Sequence, residues 1–209
     1  TPKKTNNTKG DIEGRIAVLL PMRDEEEHVR RKILETTSEL ANAKDFKIIL
    51  VDSFSSDQTS SIARKVFMDS NIGEENWEII TAEKPGKSHA INLAISSNVA
   101  DFFVMMDADV VVESGWLRIL FEYFSDPEVG AVSGMENSVS ITTNNSRGGY
   151  RARSNKIRIW ESNNDSTVVL EGAMIAWRES AMPGFFLDEN CNADDAQISL
   201  QAIRRGFRS

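Results

Sequence analysis

Over its first 110 residues the chain repeats one pattern: a short apolar run, a polar cluster that closes it, then a stretch with helical spacing. The four runs are Arg15–Leu20, Phe46–Val51, Trp77–Thr81 and Asp101–Met106. They are rich in β-branched and aromatic residues and hold few charges, as strands covered on both faces do. Helical spacing occupies 25–43, 58–70 and 87–97. Strands alternating with helices need crossover connections. The pattern therefore predicts an α/β fold with a mostly parallel central sheet flanked by helices.

Local signals refine this outline. Asp24 followed by Glu27 reads as a capping box before the first helix, and Asp57 reads as the cap of the second. A further helix is expected over Gly115–Phe124, stopped before Asp126-Pro127, then a strand over Val129–Ser133. Residues 136–166 show no periodicity and carry Asn144-Asn145, Gly148-Gly149 and the basic residues Arg147, Arg151, Arg153, Lys156 and Arg158. A segment this long without periodicity reads as a functional or mobile loop. Its charges either meet a phosphate-bearing ligand or are solvated. Thr167–Trp177 reads as strand, and Asp194–Arg205 as an amphipathic helix ended by Gly206.

Residues 1–14 are polar and read as a tail or linker, which leaves 15–209 as a single domain. That length lies inside the roughly 250–300 residues that one core supports. The chain lacks an initial methionine and stops directly after the last helix, so it is expected to be a piece of something longer, truncated at its C-terminal end.

Composition excludes several classes. A formal net charge of -8 argues against a nucleic-acid partner, which would meet a basic surface. The lone Cys191 rules out a disulfide within the chain and reads as a small packing residue in a reducing compartment. No run approaches the ~18 apolar residues of a membrane span. The expected location is cytoplasmic, or the cytoplasmic face of a membrane reached through segments outside this chain.

In a doubly wound sheet, ligands bind beyond the carboxyl ends of the strands. The four ends here carry Pro21-Met22-Arg23-Asp24-Glu25-Glu26, Asp52 to Asp57, Glu83-Lys84-Pro85-Gly86-Lys87 and Asp107-Ala108-Asp109. The last triplet is the sharpest signal. Two adjacent carboxylates repel unless a cation joins them, and hard oxygen donors suit manganese or magnesium. Otherwise they are solvated turn residues. Asp52 either accepts hydrogen bonds from a ligand or serves its own turn. Lys84 and Lys87 either face phosphates or are solvated. Gly86-Lys87-Ser88 is no P-loop, because the glycine required five residues earlier is Thr81. Asp194 and Asp195 are either helix caps or a general base for an acceptor hydroxyl. His28 and His89 lack ligand spacing and read as structural.

The order of these pieces resembles glycosyltransferase family 2, enzymes of the GT-A fold, over about residues 16–208. Val18 to Glu26 is similar to the family's opening strand, proline and acidic pair. Asp52 to Thr59 looks like its Asp-x-x-Ser-x-Asp-x-Thr element, and Gly86 to Asn92 like its Gly-Lys-x-x-Ala-hydrophobic-Asn helix start. Asp107-Ala108-Asp109 matches its metal-binding triplet. Asn192 to Asp195, with Leu200 and Arg204 to Arg208, is similar to its late acidic pair, here Asp-Asp where Glu-Asp is more usual.

The resemblance implies an inverting hexosyltransferase-class enzyme with a nucleotide-diphosphate sugar donor. A UDP-sugar is favoured and a GDP-sugar is the alternative; the acceptor is a glycan, a lipid-linked molecule or another hydroxyl. It implies that Asp52 contacts the base, that the backbone near Pro21 and the side chain of Glu25 or Glu26 line the nucleoside pocket, and that Lys84 or Lys87 lies near the base or diphosphate. Asp107 would approach the ribose or the metal, Asp109 would bind a manganese or magnesium ion, and Asp195, with Asp194 as alternate, would be the base. Two rival readings are a sugar nucleotidyltransferase and a catalytically silent nucleotide-sugar-binding module. The first would want a glycine-rich loop where Pro21-Met22-Arg23-Asp24 stands.

Overall fold

The computed structural model describes residues 13–41, 43–135 and 146–209. Most of the polar segment at 1–14 and part of the aperiodic segment, 136–145, lie outside the described residues.

The alternation resolves into β1 (Ile16–Met22), α1 (Val29–Leu40), β2 (Phe46–Asp52), α2 (Thr59–Met68), β3 (Trp77–Thr81), α3 (Lys87–Ser96) and β4 (Phe102–Met106). It continues as α4 (Trp116–Phe124), β5 (Ala131–Ser133), α5 (Ser146–Asn164), β6 (Met174–Arg178) and α6 (Asp194–Arg204). All six strands join one sheet in the order β3-β2-β1-β4-β6-β5. β3, β2, β1 and β4 run parallel, and β6 is antiparallel to both β4 and β5. The expected mostly parallel sheet is the one observed.

Period-two alternation along the strands divides the core into two layers. Ile16, Val18, Leu20 and Met22 pack with Ile33, Val66, Phe67, Trp116 and Leu120 on the face covered by α1, α2 and α4. Ala17 and Leu19 pack with Phe103, Met105, Ala90, Ile91, Ile198 and Ala202 on the face covered by α3 and α6. Leu19 is fully buried, and truncating it to alanine would cost about 2–5 kcal/mol. Among the described residues no helix is long and apolar enough to cross a membrane.

Several local expectations are corrected. The helix expected from residue 25 begins at Val29, and His28 at its N-cap makes no side-chain cap bond. Asp24 adopts φ 54° and accepts hydrogen bonds from the Ser56 amide (2.7 Å) and hydroxyl (3.1 Å). It therefore ties the first strand end to the second instead of capping. Asp57 lies one residue before the N-cap of α2 and accepts the Thr59 amide at 2.9 Å.

Within the expected loop, residues 146–164 form α5. Between residues 153 and 164 that helix buries no side chain, so no apolar stripe marked it in the sequence. The strand expected over Thr167–Trp177 exists only from Met174. Before it, the Thr167 amide bonds to the Ser209 carbonyl (2.8 Å).

The last residues return to the sheet. Arg208 bridges Val129 in parallel, and its carbonyl accepts the Gly130 amide at 2.8 Å. Phe207 comes so near that a Cβ on Gly130 would lie 2.7 Å from the Phe207 Cβ, and only glycine permits that approach.

Candidate active site

Strand order reverses between β1 and β4, and such a switch point opens a crevice at the carboxyl edge. The β1–β4 ladder stops at Leu19↔Met105, two residues before Pro21, which has no amide proton to extend it. The crevice therefore begins where Pro21 stands. On its far side the Asp107 amide bonds to the Ala173 carbonyl at 3.0 Å, so β4 leaves the sheet beside the chain that enters β6.

Three elements converge here on one ammonium group. Lys87, the first residue of α3, places Nζ 2.7 Å from Asp107 Oδ1 and 3.0 Å from Asp194 Oδ2 at the start of α6. Burial disfavours the lysine's charge, but the two carboxylates outweigh it and hold its pKa above the ordinary value. Burial pushes the Asp107 pKa up; Lys87 pulls it down, while Asp194 and Asp109 push it up further, and the net shift is upward. Asp194 Oδ2 is buried and has the ion pair but no hydrogen bond among the described residues.

Lys87 is placed by the turn before it. Gly86 sits at φ 148°, where a side chain is strained, and Ser53 Oγ at the end of β2 accepts its amide at 2.9 Å.

Glu25 belongs to the same charged field. Its pKa is raised chiefly by burial, with His28 opposing and Asp109, Asp107 and Asp57 adding to the rise. Asp109 is exposed, and its carboxylate has no ion pair or hydrogen bond among the described residues. Its backbone is held instead. Arg31 of α1 donates to the carbonyls of Ala108 (3.2 Å), Asp109 (3.1 Å) and Val110 (3.0 Å). Lys32 donates to Val110 O at 2.5 Å.

Among the described residues no three His, Cys, Asp or Glu side chains gather as a closed metal cage. A magnesium-like ion that keeps waters and binds phosphate oxygens needs only one or two carboxylates. Asp107 and Asp109 supply that number of hard oxygen donors, so the residues fit an open metal site and not a structural one.

The carboxyl end of β2 is different. Asp52 is nearly buried, and both its oxygens are used internally: one accepts the Ser55 amide at 2.9 Å, the other the Ser60 hydroxyl. Phe54, two residues on, has φ 69° and an exposed ring.

Beside Lys87 lies a cleft of about 390 Å³, lined in part by Lys84, Gly86, His89, Glu189 and Asp194. Glu189 accepts from Lys84 Nζ at 2.8 Å and meets His89 Nδ1 at 2.9 Å. Lys84 and His89 depress the Glu189 pKa from the ordinary 4.5 to about 2. His89, expected to be structural, is buried and borders this cleft; its Nε2 lies 3.4 Å from Glu83 Oε1 and has no hydrogen bond among the described residues. Asp195 shares the first turn of α6, where Ala193 is the N-cap and no side chain caps the helix. Its Oδ1 accepts the Ala196 amide at 2.7 Å. A Cβ on Gly172 would lie 3.8 Å from Asp195 Oδ2, so at that point bare backbone borders the carboxylate.

Of the site residues expected from sequence, the structure brings Asp107, Lys87, Asp194 and Glu25 into one field, with Asp109 and Asp195 beside it. Lys84 pairs with Glu189 on the outer side. Among the basic residues of 146–164, Arg158 is bound to Glu171 (2.5 Å) and Val169 O (3.1 Å) and is an internal tie. Arg31, Lys32 and Glu189 were not singled out. They stand among ordinary charged neighbours, and no local signal marks them.

A mostly parallel sheet with acidic strand ends at a switch point fits the GT-A fold, and solved glycosyltransferases superpose on it. A mannosyltransferase of Pyrobaculum calidifontis, solved with GDP-Man and Mn2+, superposes with a TM-score of 0.77 at 23% identity, covering 94% of this chain and 54% of that one. Staphylococcus aureus TarS 1-349 superposes at 0.64 and 14% identity, covering 90% and 55%. Among curated proteins, poly-beta-1,6-N-acetyl-D-glucosamine synthase of Staphylococcus aureus strain COL is 25% identical over 214 aligned positions. That match covers 99% of this chain and 50% of the synthase, so the chain spans about half the length of that relative. The family model for glycosyl transferase family 2 matches residues 17–183, and the chain belongs to that family.

Proposed function

We propose that residues 15–209 form a catalytic domain that transfers a sugar from a nucleotide-diphosphate donor to an acceptor hydroxyl, with inversion at the anomeric carbon. The observation that carries this reading is the meeting of Asp107, Lys87 and Asp194 from three separate elements at the sheet's switch point. An acidic pair, a cation and a second carboxylate in one cleft suit a diphosphate on one side and a hydroxyl on the other.

In this reading Asp109 and Asp107 would hold a manganese or magnesium ion, which would supply Lewis-acid neutralisation of the leaving diphosphate. The Lys87 ammonium stands where it can answer phosphate oxygens, and its raised pKa keeps it charged. Pro21 and Glu25 border the nucleoside side of the crevice. Asp52 contributes there through the turn that it holds. Asp195, in the first turn of α6, takes the proton of the acceptor hydroxyl as that oxygen attacks the anomeric carbon. The diphosphate leaves with the bonding electrons, and a single displacement inverts the centre. UDP-sugars are the favoured donors. GDP-sugars are the alternative, since the Pyrobaculum calidifontis neighbour was solved with GDP-Man. A single cysteine is compatible with a cytoplasmic site of action.

The test is thermal stabilisation by a panel of nucleotide-sugars with Mn2+, followed by product analysis. A bound donor at 100 times its dissociation constant raises stability by about 2.7 kcal/mol. Release of a nucleoside diphosphate with sugar transfer supports the reading. Pyrophosphate release would indicate nucleotidyl transfer, and binding without turnover a silent module.

A further inference from the structure

We propose that Arg31 and Lys32 of α1 are positioning residues that fix the Asp107–Val110 turn for metal binding. This rests on the reading of Asp109 as a metal ligand. Lys32 is fully buried, and a lysine is rarely so unless paired. Its partners are Val110 O at 2.5 Å and the Glu35 carboxylate at 3.6 Å. Arg31 joins it with three donations, so two side-chain cations serve three successive carbonyls, at 108, 109 and 110. Glu35 also accepts Arg31 at 3.1 Å and offsets one of the two positive charges. One turn further along α1, Glu39 accepts the Gly115 amide at 2.6 Å and the Ser114 hydroxyl at 3.1 Å. A single helix thus grips both ends of the 108–115 segment.

Successive carbonyls that face one way form a concavity that attracts cations. Here α1 fills it from inside the protein. The carbonyls are thereby committed to α1, and the exposed Asp109 carboxylate is left for an outside ion. Burying an ammonium costs more stability than burying a methionine of similar length. The geometry gives that ammonium a task that methionine cannot perform.

The variants are Lys32→Met, Arg31→Gln, Arg31→Lys and Asp109→Asn, each compared with the parent chain. The first readout is hydrogen exchange without any ligand. Faster exchange confined to amides 107–112 in Lys32→Met and Arg31→Gln is expected. Unchanged exchange there, or a rise spread over β1 and β2, overturns the proposal. Arg31→Gln guards against a Lys32→Met variant that fails to fold, because Arg31 is a third exposed.

The second readout is Mn2+ titrated in the presence of UDP or GDP, followed by loss of the free-ion EPR signal. Outer partners of metal ligands typically contribute ~10–100-fold. The apparent Mn2+ affinity should fall ~10-fold or more in Lys32→Met and Arg31→Gln, and by less in Arg31→Lys, because an ammonium keeps the charge and a donor there but lacks the fork that serves three carbonyls. A smaller fall in both variants, with Asp109→Asn losing the ion, overturns the positioning role alone. Retention of the ion by Asp109→Asn overturns the reading of the metal site itself.

Discussion

The ends of β2 and β4 begin alike, each with an aspartate after a buried apolar run, and are then fixed by opposite means. At β2 the side chain is spent: Asp52 is nearly buried, and its two oxygens bind Ser55 and Ser60. At β4 Asp107 pairs with Lys87, and beyond it the backbone is spent: Arg31 and Lys32 take the carbonyls of residues 108–110, and the Asp109 carboxylate stays exposed. The first arrangement makes a rigid turn whose acid supports the fold. The second holds the turn through its backbone and leaves an exposed acid, which the proposed function assigns to a metal ion. Exposure and hydrogen bonding, not residue type, separate a structural carboxylate from a ligand-ready one.

Substitutions can break this contrast. The largest effect is expected at the neighbouring α6. Asp195→Asn should lower turnover by ~10²-fold or more while donor binding with Mn2+ persists, because a positioned base contributes ~10²–10⁴-fold. Asp194→Asn should be milder; a turnover for Asp195→Asn within a few-fold of the parent would move the base to Asp194. Next comes Asp52→Ala, which strands the Ser55 amide and Ser60 hydroxyl and should cost about 1–3 kcal/mol in denaturant unfolding. Asp109→Ala should change stability by less than about 0.5 kcal/mol, because its carboxylate supports nothing among the described residues. Equal costs for the Asp52 and Asp109 variants would erase the distinction.

The smallest effect concerns Glu189. Its pKa falls from the ordinary 4.5 to about 2 in the folded protein, so the unfolded chain binds the proton more readily. The contribution is therefore present above pH 4.5 and is lost as pH falls through about 2. Acid unfolding of Glu189→Gln should converge with the parent below pH ~2 and separate slightly above it. The gap should shrink in salt, because the pair with Lys84 is solvent-exposed. A gap that persists unchanged below pH ~2 would show that the carboxylate's charge is not its cause.

Much of this molecule was legible from residue order. Apolar runs between polar clusters determined the strands and the sheet edge where polar residues collect, because buried backbone demands a ladder; burial on both faces held for β1, β2 and β4 but not for the edge strand β3, none of whose residues is buried. The Asp107-Ala108-Asp109 triplet and the Asp194-Asp195 pair were visible for the same reason. Tertiary structure decided the rest. α5 was hidden because its described side chains bury nothing, so no periodic stripe was written into it. β6 is antiparallel because its chain enters from the carboxyl edge, a direction no residue of Met174–Arg178 encodes. The meeting of Lys87 with Asp107 and Asp194 depends on three elements packing at one crevice. The role of Arg31 and Lys32 depends on the face of α1 that meets the 108–115 segment. Charge and spacing are local properties of a chain; which charge faces which carbonyl is set only when the layers close, since a contact across 77 or 78 residues has no local trace.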